Sequence, residues 1–159
     1  MKEMKDRFSN FTLPKWNEIP DVGLYLDQVT KYINGYFGDF KDMMVTPSMI
    51  SNYVKLKIVS KPEKKTHSRE QIAYFIFIVL SKTVLSMDHI KQVFLIQKES
   101  YSSEKAYTYF QEELLKALEN LFEEKKEIHK KNLSDEHQMV QHIVTAIAHQ
   151  MYLEKYFEE

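Results

Sequence analysis

The sequence contains no cysteine, only three glycines and only four prolines in 159 residues. The lack of cysteine excludes disulfides and thiolate metal sites, which fits a reducing cytoplasmic location. The scarcity of glycine and proline leaves few turn-forming residues, so we expect long helices. The longest apolar run spans residues 72–80. This run is far shorter than the roughly 20 residues of a transmembrane helix, so no membrane association is expected.

The charge of the chain is unevenly distributed, although its formal net value is only −1. Residues 1–100 carry 15 Lys and Arg against 11 Asp and Glu, whereas residues 101–159 carry 7 against 12. Within residues 41–69, seven basic residues face two acidic ones. Such asymmetry indicates that the first part of the chain faces a nucleic acid.

Composition and helix signals predict a mainly α fold in three parts. With 43% hydrophobic and 13% aromatic residues, the chain can bury a substantial core. Thr46 and Pro47 are typical of the start of a helix, which we expect to continue to about Lys55. Ser68, with Gln71 three residues later, predicts a capping box before a strongly apolar helix. We divide the chain into an N-terminal arm (1–19), a DNA-binding domain (20–99) and a helical dimerisation or effector region (100–159).

Residues 57–67 predict two short strands around a turn at 62–65, which is a small basic β-hairpin. The order helix, helix, basic hairpin, helix is that of a winged helix-turn-helix. In that fold the second helix enters the major groove, and the hairpin wing lies along the flanking phosphates. The outer face of the second helix would read bases with Ser48, Met49, Ser51, Asn52 and Lys55. The wing would contact phosphates with Lys57, Lys61, Lys64, Lys65, His67 and Arg69.

The expected function is a DNA-binding transcriptional regulator, and two alternatives remain open. The basic segment could be a solvated loop on a plain helical domain. It could also dock on an acidic protein, which would make the chain a protein-interaction module without DNA binding. An enzyme is not expected, because the sequence has no glycine-rich phosphate loop, His-Glu-x-x-His helix or Gly-x-Ser-x-Gly elbow. We therefore predict no catalytic residue, no cofactor and no metal site.

Two long helices follow, one from Ser103 to about Lys131 and one starting at Ser134. Their apolar positions recur at helical spacing and predict a homodimer, although the last helix of the same chain could also cover them. The predicted dimerisation residues are Tyr107, Phe110, Leu114, Leu118, Leu121, Ile143, Ile147 and Met151. Four histidines in this region lack the i, i+4 spacing of a metal site, so we expect them at or near the surface. They are His129, His137, His142 and His149.

Residues 24–94 resemble the DNA-binding domain of MerR-type regulators. TPSMISNYVKLKIV corresponds to their recognition helix and its exit, HSREQIAYFIFIVL to the helix after the wing, and VLSMDHIKQVF to the cap before their fourth helix. This resemblance implies a regulator that forms a homodimer through the next helix and responds to an effector. The metal-thiolate sensing of some of these regulators cannot operate in a chain without cysteine.

The whole chain more closely resembles a family of bacterial proteins catalogued as domain of unknown function 1836. The segments LPKWNEIPDVGLYLDQVTKYI and MVTPSMISNYVK carry this second resemblance. It implies no activity.

Overall fold

The computed structural model describes residues 3–123 and 132–158, and the described residues form six α-helices with no β-strand. Three short 3-10 turns lie at Met4–Phe8, Trp16–Glu18 and Lys41–Met43. The mainly α class is confirmed. The helices are α1 (Leu26–Asn34), α2 (Pro47–Lys55), α3 (Arg69–Ser81), α4 (Met87–Ser100), α5 (Ser103–Asn120) and α6 (Asp135–Phe157).

Hydroxyl caps define the starts of five of these helices. The Thr46 hydroxyl accepts the Met49 N–H at 3.2 Å, and the Ser68 hydroxyl accepts the Gln71 N–H at 3.2 Å. Each cap satisfies a backbone donor that has no partner within the helix. The predicted helix starts at Thr46, Ser68 and Ser134 are therefore confirmed, and equivalent serine caps precede α4 and α5.

Helix α3 lies at the centre of the core. Ten of its 13 residues are buried, which agrees with a sequence that is apolar on nearly all sides. Helices α5 and α6 pack against it, α4 contacts it through Phe94, and the buried residues form one cluster from Phe8 to Met151. No helix among the described residues combines the length and apolar character needed to cross a membrane.

The predicted β-hairpin wing is wrong, and so is the winged helix-turn-helix fold that depended on it. Lys57 has a φ of 60°, which is incompatible with a strand, and the consecutive residues Ile58 and Val59 are both buried. A strand would point such neighbours to opposite faces. One isolated bridge remains, in which Glu63 and Thr66 exchange backbone hydrogen bonds of 3.1 and 2.8 Å.

The hairpin does not extend because its backbone groups have partners elsewhere. Pro62 has no N–H to donate. The carbonyl of Lys61 accepts the Gln71 side chain at 2.8 Å. His67 instead pairs with Leu24, through backbone hydrogen bonds of 2.7 and 3.0 Å. The segment is therefore a loop, and the pairing at Leu24 lies directly before α1, which begins at Leu26.

The N-terminal segment packs against the C-terminal helices. The Tyr107 hydroxyl donates to the Pro14 carbonyl at 2.7 Å, and Arg7 donates to the Lys155 carbonyl at 2.7 Å. Leu13 and Ile19 are buried in the common core. The division into an arm and two regions stays a prediction, and in the structure all three parts contribute to one core.

A candidate nucleic-acid interface

Helix α2 buries one face and exposes the other. Ile50 and Tyr53 are buried, and the Tyr53 ring lies 6.5 Å from the ring of Phe75 on α3. The opposite face carries the predicted base-reading residues. Ser48, Ser51, Asn52 and Lys55 are exposed, and Met49 is half-buried. The structure therefore brings the predicted reading residues together on one accessible surface.

Asn34 fixes the connection between α1 and α2. Its side-chain amide donates to the Val45 carbonyl at 2.8 Å, and its side-chain oxygen accepts the Val45 N–H at 2.8 Å. This paired contact holds the residue just before the Thr46 cap. Sequence reasoning missed the role of Asn34, because hydrogen bonds to the backbone of Val45, 11 residues later, leave no local signal in the sequence.

Residues 56–66, here called the basic loop, continue directly from α2. Lys57, Lys61, Lys64 and Lys65 are exposed, as is Lys55 at the end of the helix. None of these five lysines forms an ion pair within residues 3–123 and 132–158. Their charges are therefore available to an anionic partner.

The basic loop is anchored at its base. Ile58 and Val59 are buried in the core at 5% and 3% exposure. The buried Gln71 amide nitrogen lies 3.1 Å from the Ser60 carbonyl, 3.0 Å from the Ser60 hydroxyl and 2.8 Å from the Lys61 carbonyl. Sequence reasoning identified Gln71 only as a capping-box residue. Its amide also determines where the loop leaves the core.

Three lysines in the basic loop have left-handed backbone conformations. The φ values are 60° for Lys57, 47° for Lys64 and 66° for Lys65. This region costs a residue with a Cβ about 1–2 kcal/mol relative to the right-handed region, and glycine would avoid that cost. Lysine at all three positions is therefore a local conflict, of the kind that motivates a functional hypothesis for the side chain.

His67 and Arg69 occupy different environments from the exposed lysines. His67 is 3% exposed, its ring lies 5.2 Å from that of Phe75, and burial lowers the pKa of its imidazole. The Arg69 guanidinium donates to the Ile19 carbonyl at 2.8 Å and lies 3.9 Å from the Asp21 carboxylate. We therefore leave both residues out of the candidate contact surface.

The predicted dimerisation residues lie mainly inside the core of a single chain. Of the eight, only Leu121 is half-buried, while the others are at most 6% exposed. The α5 residues pack against α3 and α6, as in the ring contact of 4.8 Å between Phe110 and Phe77. Any contact between two copies would therefore use other residues.

The C-terminal histidines do not converge. The His137 ring stacks between Tyr101 and Tyr109, with centroid distances of 5.0 and 4.1 Å. His142 and His149 are exposed on α6, and His129 lies outside the described residues. Within the described part of the chain, no group of three or more His, Asp or Glu side chains could hold a metal ion.

No curated protein and no solved structure matches the chain, so the resemblance to MerR-type regulators is not shown. Residues 14–110 match the family described as domain of unknown function DUF1836. These residues include α1 to α4, the basic loop and the first part of α5. Because the match covers more than half of the chain, this protein belongs to the DUF1836 family.

Proposed function

We propose that the protein is a DNA-binding transcriptional regulator that uses the exposed face of α2 together with the basic loop. The supporting observation is that five exposed lysines, from Lys55 to Lys65, form no ion pair with the described residues and are continuous with the polar face of α2. The cations would neutralise phosphates, while α2 would approach base edges. This proposal retains no β-wing, because the loop alone carries the charge.

The dimensions of α2 suit this role. An α-helix with its side chains is about 10–12 Å across, which fits the roughly 12 Å width of the major groove, and the nine residues of α2 give it a length of about 13 Å. Asn52 lies exposed at the centre of the reading face and can make a paired hydrogen bond to adenine. Burial of Ile50 and Tyr53 fixes which face is presented, so the reading residues are preorganised.

The regulator would act as a homodimer. One short helix contacts few base pairs, and two copies at a fixed spacing give useful specificity. Because the predicted dimerisation residues are buried within one chain, the contact would use exposed apolar residues. Leu153, Tyr156 and Phe157 at the end of α6 are 48%, 59% and 76% exposed and would suit such a contact.

The test replaces Lys61, Lys64 and Lys65 together with Gln and measures affinity for duplex DNA over a series of salt concentrations. Each lost phosphate contact should reduce the slope of log affinity against log salt by about 0.9, so the triple variant should lose up to about 2.7. The loss should be alike for all DNA sequences, because phosphate contacts carry no base information. An unchanged slope would place the basic loop away from the DNA.

A matched control replaces Lys5, Lys15 and Lys105 with Gln. These lysines are also exposed but lie outside α2 and the basic loop, and the change in net charge is the same. The control should keep nearly the wild-type slope. Equal losses in both variants would indicate a general charge effect.

Salt weakens both DNA binding and docking on an acidic protein, so salt dependence cannot distinguish them. Selective retention of genomic fragments can, because only DNA recognition depends on the DNA sequence. Discrete recurring sites on the wild-type protein are expected. Retention without sequence preference, together with tight salt-sensitive binding to an acidic protein, would favour the protein-interaction module.

A further inference from the structure

A cavity of about 80 Å³ lies where α3, α4, α5 and the first turns of α6 meet. The cavity is open to solvent on one side, and a single water molecule needs about 10–15 Å³. This cavity is several times larger and is lined mostly by apolar side chains. Its principal wall residues are Ala73, Phe77, Phe94, Ala106, Phe110 and Met139.

The aromatic wall residues contact one another at angles rather than face to face. Tyr74 and Phe94 meet at 4.6 Å with planes 68° apart, and Phe77 and Phe110 meet at 4.8 Å with planes 64° apart. Phe77 and Phe94 complete the series at 5.5 Å. Such tilted and edge-to-face pairs are the geometry that aromatic rings favour, so this wall can accept another ring in the same way.

The polar groups beside the cavity already have partners. The Tyr74 hydroxyl lies 2.7 Å from the Gln97 side-chain oxygen and 3.0 Å from the Ser103 hydroxyl, which in turn donates to Glu70 at 2.7 Å. A charged ligand group buried here would have to break these hydrogen bonds or remain unpaired, and both are unfavourable. The occupant should therefore be uncharged.

We propose that this cavity is a binding site for a small, uncharged molecule with a single aromatic ring. An enclosed apolar cavity of about 150 Å³ engineered in another protein stays dry and binds benzene. The present cavity is smaller, so a single ring would occupy it with one edge at the mouth. Ile96, Lys105 and Glu70, which are exposed, lie at that mouth and leave room for a small polar substituent such as a hydroxyl. Because the lining carries two carboxylates, Glu70 and Glu136, against one lysine, an anionic substituent is disfavoured there as well. The site is independent of DNA binding.

The experiment titrates the full-length protein with phenol and, as the charged comparison, with benzoate. Trp16 is the only tryptophan, and its ring lies 6.2 Å from that of Tyr107, which lines the cavity. Its indole N–H signal in NMR spectra therefore reports on the site. We expect phenol to shift this signal saturably, to raise the melting temperature, and to give contacts with the methyl group of Ala106. Benzoate should bind at least about tenfold more weakly.

Ala106→Leu fills the cavity and should weaken phenol binding by about tenfold or more. Ala117→Leu is the matched control, since Ala117 is partly buried on the same helix but does not line the cavity. It should bind phenol as the wild type does. Contacts from wild-type protein to bound phenol test the site even if Ala106→Leu fails to fold. Absence of saturable binding, equal binding of benzoate, or ligand contacts confined to other residues would each overturn the proposal.

Discussion

Replacing Gln71 with Met tests whether anchoring of the basic loop matters for DNA binding. Methionine is unbranched like glutamine and can occupy much of the same buried space. It removes the amide that donates to the carbonyls of Ser60 and Lys61, and the oxygen that accepts the Ser68 N–H at 3.0 Å. No charge changes, so the electrostatic attraction to DNA should remain.

The expected loss of stability follows from those hydrogen bonds. A net hydrogen bond contributes about 0.5–1.5 kcal/mol, and the Gln71 side chain makes four such contacts, of which three share the two amide hydrogens. Because Ser60 and Lys61 are exposed, water can partly replace the lost donor. We therefore expect the free energy of unfolding to fall by about 2–3 kcal/mol, which corresponds to roughly 5–10 °C in melting temperature for a chain of this length.

The expected effect on binding is smaller and has a different signature. Ordering a released segment on the DNA costs about 0.5–1.5 kcal/mol, so affinity should fall by roughly two- to tenfold. The salt slope should stay at its wild-type value because every lysine remains. Urea denaturation gives the change in stability, and titrations at several salt concentrations give the affinity and the slope.

Gln111→Met is the control, since Gln111 is also buried and its amide donates to the Leu13 carbonyl at 3.3 Å. This variant should lower the free energy of unfolding less than Gln71→Met does, because only one long hydrogen bond is lost. It should leave DNA affinity unchanged. Loss of affinity in both variants, in proportion to stability, would refute the anchoring role of Gln71. Unchanged affinity in Gln71→Met, with the expected loss of stability, would refute it as well.

Three further predictions concern base recognition by α2, the pH dependence of stability, and the packing of the core and of the end of α6. Asn52→Ala should leave stability unchanged, because Asn52 is exposed, and should reduce discrimination at one base pair by about 1–3 kcal/mol in binding assays on selected sites. Since burial lowers the pKa of His67, protonation favours the unfolded state, and stability should fall as the pH drops below about 6.5. Urea denaturation across this pH range should show a weaker decline for His67→Gln, and an identical decline would exclude His67 as the cause. Leu114→Asp should lower the free energy of unfolding by more than about 4 kcal/mol, because Leu114 is fully buried. Phe157→Asp, at an exposed position, should leave the circular dichroism spectrum unchanged and reduce any dimer seen by light scattering.

Local signals in the sequence were enough to predict most helix starts. Thr46 and Ser68 accept hydrogen bonds from residues three positions later, so each cap is encoded within four consecutive residues. The exposed face of α2 follows from the same local reasoning, because helical spacing determines which residues lie opposite Ile50 and Tyr53. These features required no knowledge of distant contacts.

The basic loop shows where local reasoning ends. Its alternation of lysine with apolar residues is typical of a strand, but its backbone conformation depends on contacts distant in sequence. The backbone of His67 pairs with that of Leu24, and the Gln71 side-chain amide donates a hydrogen bond to the carbonyl of Lys61. The observed turn has Lys64 and Lys65 at its centre, both with positive φ, between the paired residues Glu63 and Thr66, so it lies one residue later than the predicted turn at 62–65.

The apolar stripes of α5 and α6 have a related explanation. Periodic apolar residues show that a helix face must be covered, but they do not identify the covering surface. Here α3 carries apolar residues on nearly every side. It therefore covers residues such as Phe110 of α5 within the same molecule. Helix α3 also carries one residue of each proposed site. Gln71 at its first turn holds the basic loop, while Tyr74, one turn later, lies beside the aromatic cavity.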